Sequence, residues 1–349
     1  MNPNISTDRL HALDAVRGFA LMLGVALHAS MSWIPGAEYF WVTADTSPST
    51  TMAVLFFWVH SFRMTIFFIL AGFFGRMLLM RRGTTGFIVD RMKRIVVPGA
   101  TLWFPILMAI IAVLSWNAWI KNGGSFPDAP PPAPLSVKTF PLTHLWFLYF
   151  LTIYYAAMLA VRASFRALDR SGRLQRILDS VFRRSFPFVP VLVALPLAAV
   201  LMSLPMWWAW FGIPTPDTGL LPNRAALLAY GLAFAAGWAL QRQSNLLQVL
   251  RRLWPVYLGV AVIASGACLA MIGLLPPPKP AGDTITDTAF AVLYPLAGWT
   301  WSFAFIGIAL QFLSSPSPAR RWVADASYWV YLVHVPIVMA LQVAATQSN

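Results

Sequence analysis

"RLHALDAVRGFALMLGVALHASMSW" runs from Arg9 to Trp33, and its reading decides the fold. The middle of the stretch is apolar enough to enter a lipid bilayer, yet it carries Asp14, Arg17 and His28. An ionisable side chain at bilayer depth costs a few kcal/mol on insertion scales, so three on one segment need a shared explanation. On a helix turning about 100° per residue, Arg17 and His28 differ by about 20° around the axis, and Asp14 lies within about 60° of Arg17. The three share one stripe. Arg17 and His28 stand roughly 16 Å apart along it, which marks two ends of one buried polar path.

The rest of the chain has the same character. With 349 residues, 58% hydrophobic and 11% charged, and a mean hydropathy of +0.66, there is too little polar surface for a water-soluble globule. An all-α polytopic transmembrane helical bundle is predicted, as a single membrane domain over 1–349. Apolar segments near the roughly 20 residues needed to span hydrocarbon fall at 11–34, 52–79, 95–120, 143–161, 187–211, 224–240, 253–275, 289–313 and 323–345. A cleaved signal peptide is a poor account of the first segment, because Asp14 and Arg17 interrupt its apolar run. The lone Cys268 permits no internal disulfide.

A net charge of +13 would suit a nucleic-acid binder if the basic residues shared a face. Instead they fall on alternate loops. With the N-terminus inside, the interior segments hold Arg9, the group from Arg76 to Arg94, seven arginines from Arg162 to Arg184, Arg242, Arg251, Arg252, Arg320 and Arg321. The exterior keeps Lys121, Lys138, Lys279 and Arg224. This is the positive-inside pattern. It predicts a cytoplasmic N-terminus and no nucleic-acid partner. The arginines at 162, 166, 170, 173 and 176 fall within about 120° of one helical face and are expected to rest on anionic lipid head groups.

The second apolar segment repeats the pattern of the first. "HSFRMTIFFILAGFFGR" puts His60 and Arg63 at i, i+3 on one face, and an arginine in apolar surroundings needs an anion, either a carboxylate or a ligand. The plain alternative is that Asp14 pairs with Arg17 and His28 is hydrogen-bonded in the bundle. That accounts for the residues singly and leaves their alignment unexplained.

Four blocks carry a resemblance: "LDAVRGFALMLGVALH", "HSFRMTIFFILAGFFGRMLLMRRGTTGFIVDRMKRIVVP", "HLWFLYFLTIYY" and "SYWVYLVHVPI". Together and in this order, the sequence resembles the acyltransferase-3 superfamily of membrane O-acyltransferases, most closely its glucan-succinylating branch. The resemblance implies transfer of an acyl group from cytoplasmic acyl-CoA, succinyl-CoA or acetyl-CoA, to a sugar hydroxyl of an exterior glycan. It also implies that His28 is catalytic, and that Arg17 and the Phe62, Arg63, Met64 block belong to the active region. Relatives usually read serine where Ala71 stands and continue into a tenth span.

The residue chemistry agrees with that implication. Attack of a hydroxyl on a thioester needs a base that titrates near neutrality, which suits His28. Asp14, Arg17 and Arg63 complete the candidate catalytic set, with Arg63 as donor to the developing oxyanion. Guanidinium groups bind phosphates in pairs of hydrogen bonds, so Arg17, Arg76, Arg81, Arg82, Arg91, Lys93 and Arg94 are candidates to hold the donor. His144 and Trp146 are either an interfacial anchor or a substrate contact. Tyr328, Tyr331 and His334 spiral around the last helix. Tyr328 and His334 are kept as candidate substrate contacts, although His334 reads first as a bundle hydrogen-bonder. The "PMWWAWFG" stretch could offer a sugar-stacking surface. Membrane lipids, acyl-CoA and the glycan are the expected partners, with association of copies left open. No bound cofactor and no metal are expected. The reading from another class is a transporter or flippase for an anionic solute or glycan, although no pseudo-symmetric halves are visible.

Overall fold

Helix starts are written into the sequence as caps. Ser49 accepts from the backbone N–H of Met52, Asn223 from that of Ala226, and Thr284 from that of Asp287, while the Asp287 carboxylate returns to the Thr284 hydroxyl. Each satisfies donors that a helix leaves unpaired in its first turn, and the last is a reciprocal capping pair. In the computed structural model, which describes residues 7–127, 134–277, 280–282 and 284–346, these and further starts give ten α-helices among the described residues. They are α1 (Thr7–Ser30), α2 (Thr50–Arg91), α3 (Val97–Lys121), α4 (Trp146–Leu168) and α5 (Arg173–Ser185), followed by α6 (Val189–Met202), α7 (Arg224–Arg242), α8 (Leu247–Ile272), α9 (Ile285–Phe312) and α10 (Pro318–Ala345). Among the described residues only an isolated bridge, Pro141 with Thr218, has β geometry. The protein is an all-α membrane bundle. Seven helical stretches are long and apolar enough to cross a membrane, one of them being α2 and α3 joined through the π-helical turn Met92–Val96. The side chain of Arg9, Lys279 and part of the proline-rich exterior loop lie outside the described residues.

α2 is the hub, packing against α1, α4, α7 and α9, while α8 packs on α9, and α10 on α1 and α3. The tight crossings sit on small residues. A Cβ on Gly72 would strike the carbonyl oxygen of Phe234, and one on Gly237 would strike that of Ile69. Without water to expel, helices in a membrane associate by such close backbone approach.

Three expectations change. The segment at 187–211 is α-helical only to Met202: α6 is a 14-residue continuation of α5 through a 3₁₀ turn, and beyond it only the short 3₁₀ turn Ala209–Phe211 is helical. The loop around Arg81 and Arg82 is instead the far end of the 42-residue α2, kinked at Gly83 with φ 67°. The arginines from 162 to 176 do not form one face, since α4 ends at Leu168 and Gly172, at φ 65°, turns the chain before α5 begins. A left-handed backbone at Gly172 has no Cβ to clash, so the helix breaks there at little cost.

Candidate active site

The stripe on α1 lies along the seam with α10. At its basic end, Arg17 is engaged: its Nη1 is 3.3 Å from Asp14, its Nη2 donates to the Ala324 carbonyl at 3.0 Å, Asp325 is 3.9 Å away, and the guanidinium lies over the Phe74 ring. The i, i+3 pairing of Asp14 with Arg17 is therefore present, and the hydrogen bond from Arg17 to Ala324 ties α1 to α10.

Further along, Gly24 leaves room for an arginine from the neighbouring helix. A Cβ at this position would stand 2.5 Å from Nη1 of Arg63, so the guanidinium rests against the backbone of α1. No carboxylate or hydrogen-bond acceptor is paired with Arg63 among the described residues, and its Nε is buried without a partner. Its electrostatic neighbours are His28, His60 and His334 with the phenols of Tyr230 and Tyr331. His60, one turn back on α2, meets the Tyr294 hydroxyl at 3.2 Å and stacks on Phe56.

One turn beyond Gly24 stands His28, with Nδ1 buried and unpaired. Its ring lies 5.2 Å from that of His334, which in turn lies 5.5 Å from that of His144. Three imidazoles from α1, α10 and the turn before α4 thus form a row. Their partners assign the tautomers of two. His334 Nδ1 faces the carbonyls of Tyr331 (2.8 Å) and Val330 (3.1 Å), so it carries the proton and Nε2 holds a lone pair. His144 Nε2 donates to the Leu332 carbonyl at 2.9 Å, leaving Nδ1 bare. Both bare nitrogens are buried without partners.

Backbone strain marks the same place. Thr143 is the one non-glycine residue with positive φ among those described, at 54°, a conformation that a β-branched side chain resists. Its N–H donates to the Asp217 carbonyl at 3.0 Å, and the adjacent Pro141–Thr218 bridge holds the turn. Strain of this sort persists only where the surroundings over-determine it, and here it sets the direction in which His144 enters the row.

The remaining candidates divide. Trp146 is buried against Tyr230 and Phe150, so it backs the site and does not anchor at a lipid interface. Arg82, Arg91 and Arg94 converge on Asp90, at 3.1, 2.7 and 3.6 Å. Tyr328 donates to the Arg94 carbonyl at 2.9 Å, which places it at this basic end, away from His28. Arg76 is hydrogen-bonded to Gln241, while Arg81 and Lys93 are exposed. In "PMWWAWFG", Trp207 and Trp210 are buried, which removes them as an exterior sugar surface. Two residues that the sequence does not flag also surround His28: Trp41, stacked on its ring, and Gln342 of α10.

A histidine row with buried, unpaired nitrogens beside an unpaired arginine has the chemistry to move a proton next to developing negative charge. The sequence pattern of the acyltransferase domain family matches residues 10–348, nearly the whole chain. The chain belongs to the acyltransferase-3 family. It is similar to the glucans biosynthesis protein C of Escherichia coli (strain SMS-3-5 / SECEC), 28% identical over 155 residues, which is 44% of this chain and 38% of that one. Its counterpart in Shigella dysenteriae serotype 1 (strain Sd197) is 31% identical over 101 residues, covering 29% of this chain and 25% of the relative. These alignments span well under half the length of the curated relatives. No solved structure matches the chain.

Proposed function

We propose that the protein moves a succinyl or acetyl group from cytoplasmic acyl-CoA to a hydroxyl of a periplasmic glycan, with His28 as general base. The observation that carries this reading is the juxtaposition of His28 with Arg63, whose Nε is buried and whose guanidinium no carboxylate among the described residues neutralises. In the reaction, His28 takes the proton of the acceptor hydroxyl as its oxygen attacks the thioester carbonyl carbon. Arg63 donates to the resulting oxyanion. The carbon–sulfur bond then breaks, and the proton passes from His28 to the departing thiolate, so that an ester and free CoA result. A low-dielectric surrounding strengthens the interaction of Arg63 with that oxyanion. Similarity to glucans biosynthesis protein C supports a glucan-like acceptor, and the resemblance of the four sequence blocks to the glucan-succinylating branch favours a succinyl donor.

The basic end fits the donor side. Arg76, Arg81, Arg82, Arg91, Lys93 and Arg94 supply cations for phosphate groups there, on the side that the positive-inside rule assigns to the cytoplasm. Purified protein in proteoliposomes, given radiolabelled succinyl-CoA or acetyl-CoA on the basic side and periplasmic glucans on the other, is expected to label the glucan. Glucan transport without labelling would replace this reading with the transporter.

A further inference from the structure

α10 sends Gln342 to the end of α1, beside the backbone of His28. Its Nε2 donates to the Ala29 carbonyl at 2.9 Å and to the His28 carbonyl at 3.3 Å, two oxygens that the end of α1 leaves without helical partners. Its Oε1 accepts from Trp41 Nε1 at 2.8 Å. The Trp41 ring lies over the His28 ring at 5.5 Å, tilted by 18°. One side chain therefore grips the histidine's backbone and also fixes the indole that covers its imidazole.

The segment carrying Trp41 is itself held down. Asn117 of α3, buried, donates to the Val42 carbonyl at 2.6 Å, and the N–H groups of Asp45 and Ser49 donate to Ser32 and Trp33. Trp41 is thus part of a segment fastened to α1, α3 and α10, and its own indole N–H is held by Gln342. The imidazole below it has no hydrogen bond at Nδ1, so packing and not a carboxylate sets its plane. In acyl transfer, where a misplacement of about 1 Å costs on the order of a hundredfold, something must supply that orientation.

We infer that Gln342 is the positioning residue for His28, acting through Trp41 and through the end of α1. This rests on the proposed role of His28 as base. Gln342 touches neither substrate nor the reacting atoms; it replaces the carboxylate that commonly orients a catalytic histidine. The indole face adds a second effect, since an aromatic ring stacked on an imidazole stabilises the cation formed when His28 takes a proton.

The test uses the full chain in proteoliposomes, with Gln342→Leu and Trp41→Phe alone and in combination, each also built on His28→Ala. Gln342→Leu is expected to lower turnover about ten- to a hundredfold with the KM for acyl-CoA unchanged, because the cations proposed to hold the donor's phosphate groups lie at the basic end and are untouched. Trp41→Phe keeps a ring and loses the N–H, so its loss is smaller, and the double variant is no worse than Gln342→Leu alone. On His28→Ala, Gln342→Leu is expected to change nothing. An equal further drop there would make Gln342 a fold-holding residue and overturn the inference. Wild-type turnover in Gln342→Leu would overturn it too, while wild-type turnover in His28→Ala would instead end the base assignment.

A readout independent of transfer separates these cases. Modification of His28 by diethyl pyrocarbonate, followed by mass spectrometry, is expected to quicken several-fold in Gln342→Leu as the indole is released. An unchanged rate in protein with wild-type unfolding temperature would overturn the inference whatever the transfer assay gives.

Discussion

The basic end of the bundle and its middle treat charge in opposite ways. At the basic end, Asp90 draws in Arg82, Arg91 and Arg94, and Asp14 holds Arg17. In the middle, Arg63 has no carboxylate partner among the described residues, and bare imidazole nitrogens of His28, His144 and His334 are buried near it. Paired charges at a water boundary are inexpensive to maintain and say little about chemistry. An unpaired cation among aromatic rings is expensive to maintain, and a site that binds an anion during its reaction gives a reason to keep it. Composition does not distinguish the two regions. Only the partners do.

The largest expected effect is at His28. His28→Ala should lower transfer by roughly 10² to 10⁴, the usual contribution of general-base help, and His28→Gln should fare little better because it restores a hydrogen bond without a base. Abundance and acyl-CoA binding should stay near wild type, as measured on matched amounts in detergent. Near-normal transfer would make the middle as structural as the basic end and erase the contrast.

How much of this was legible in the sequence depends on the distance along the chain over which each feature acts. The class of fold, the stripe on α1 and the His60, Arg63 pair are local patterns, and each corresponds to a helix or a helical face. The gathering of His28, His144 and His334 is not local: the spacing of Tyr328, Tyr331 and His334 gives no single face, and it takes the packing of α10 on α1 to bring His334 to His28. Trp41 and Gln342 are 301 residues apart, and neither is unusual in its own surroundings. Helical periodicity also misled where a single residue intervened. The arginines from 162 to 176 fit one wheel until Gly172 breaks it, and the tryptophans of "PMWWAWFG" look exterior although two of them fill the core. The identity of acyl group and acceptor has no local signature, and it rests on similarity to relatives.

A middle-sized effect belongs to Arg63 and to the glycine beneath it. Arg63→Lys keeps the charge and loses the planar fork, so turnover should fall about 10²-fold if the guanidinium is aimed at an oxyanion. Gly24→Ala probes the same contact from the other helix. Its new methyl would stand 2.5 Å from Nη1, and since the arginine's end is flexible, the helices can stay in place while the guanidinium moves. Turnover should drop about tenfold with the unfolding temperature nearly unchanged. Wild-type turnover in both variants would leave Arg63 as a packing residue.

The smallest effect on chemistry is expected at Asp90, where the contrast predicts stability and not turnover. Its side chain is only 7% exposed, yet two of its three partners, Arg82 and Arg94, are 59% and 75% exposed, so water already screens much of that attraction. Arg91 is the exception, 22% exposed, 2.7 Å from Asp90 and over the rings of Phe87 and Tyr155. Asp90→Asn keeps the shape and an acceptor oxygen and removes the counter-charge. The loss should be on the order of 1–2 kcal/mol, dominated by Arg91 and seen as a lower unfolding temperature. Turnover at saturating acyl-CoA should stay within a few-fold, because His28 and Arg63 are untouched. The donor's KM should hold or fall, since arginines freed from a carboxylate are better able to meet phosphate oxygens, and raising the salt concentration should weaken that gain. A collapse of turnover matching His28→Ala, in protein that remains folded, would mean that the basic end takes part in the chemical step and that pairing is no guide to which charges react.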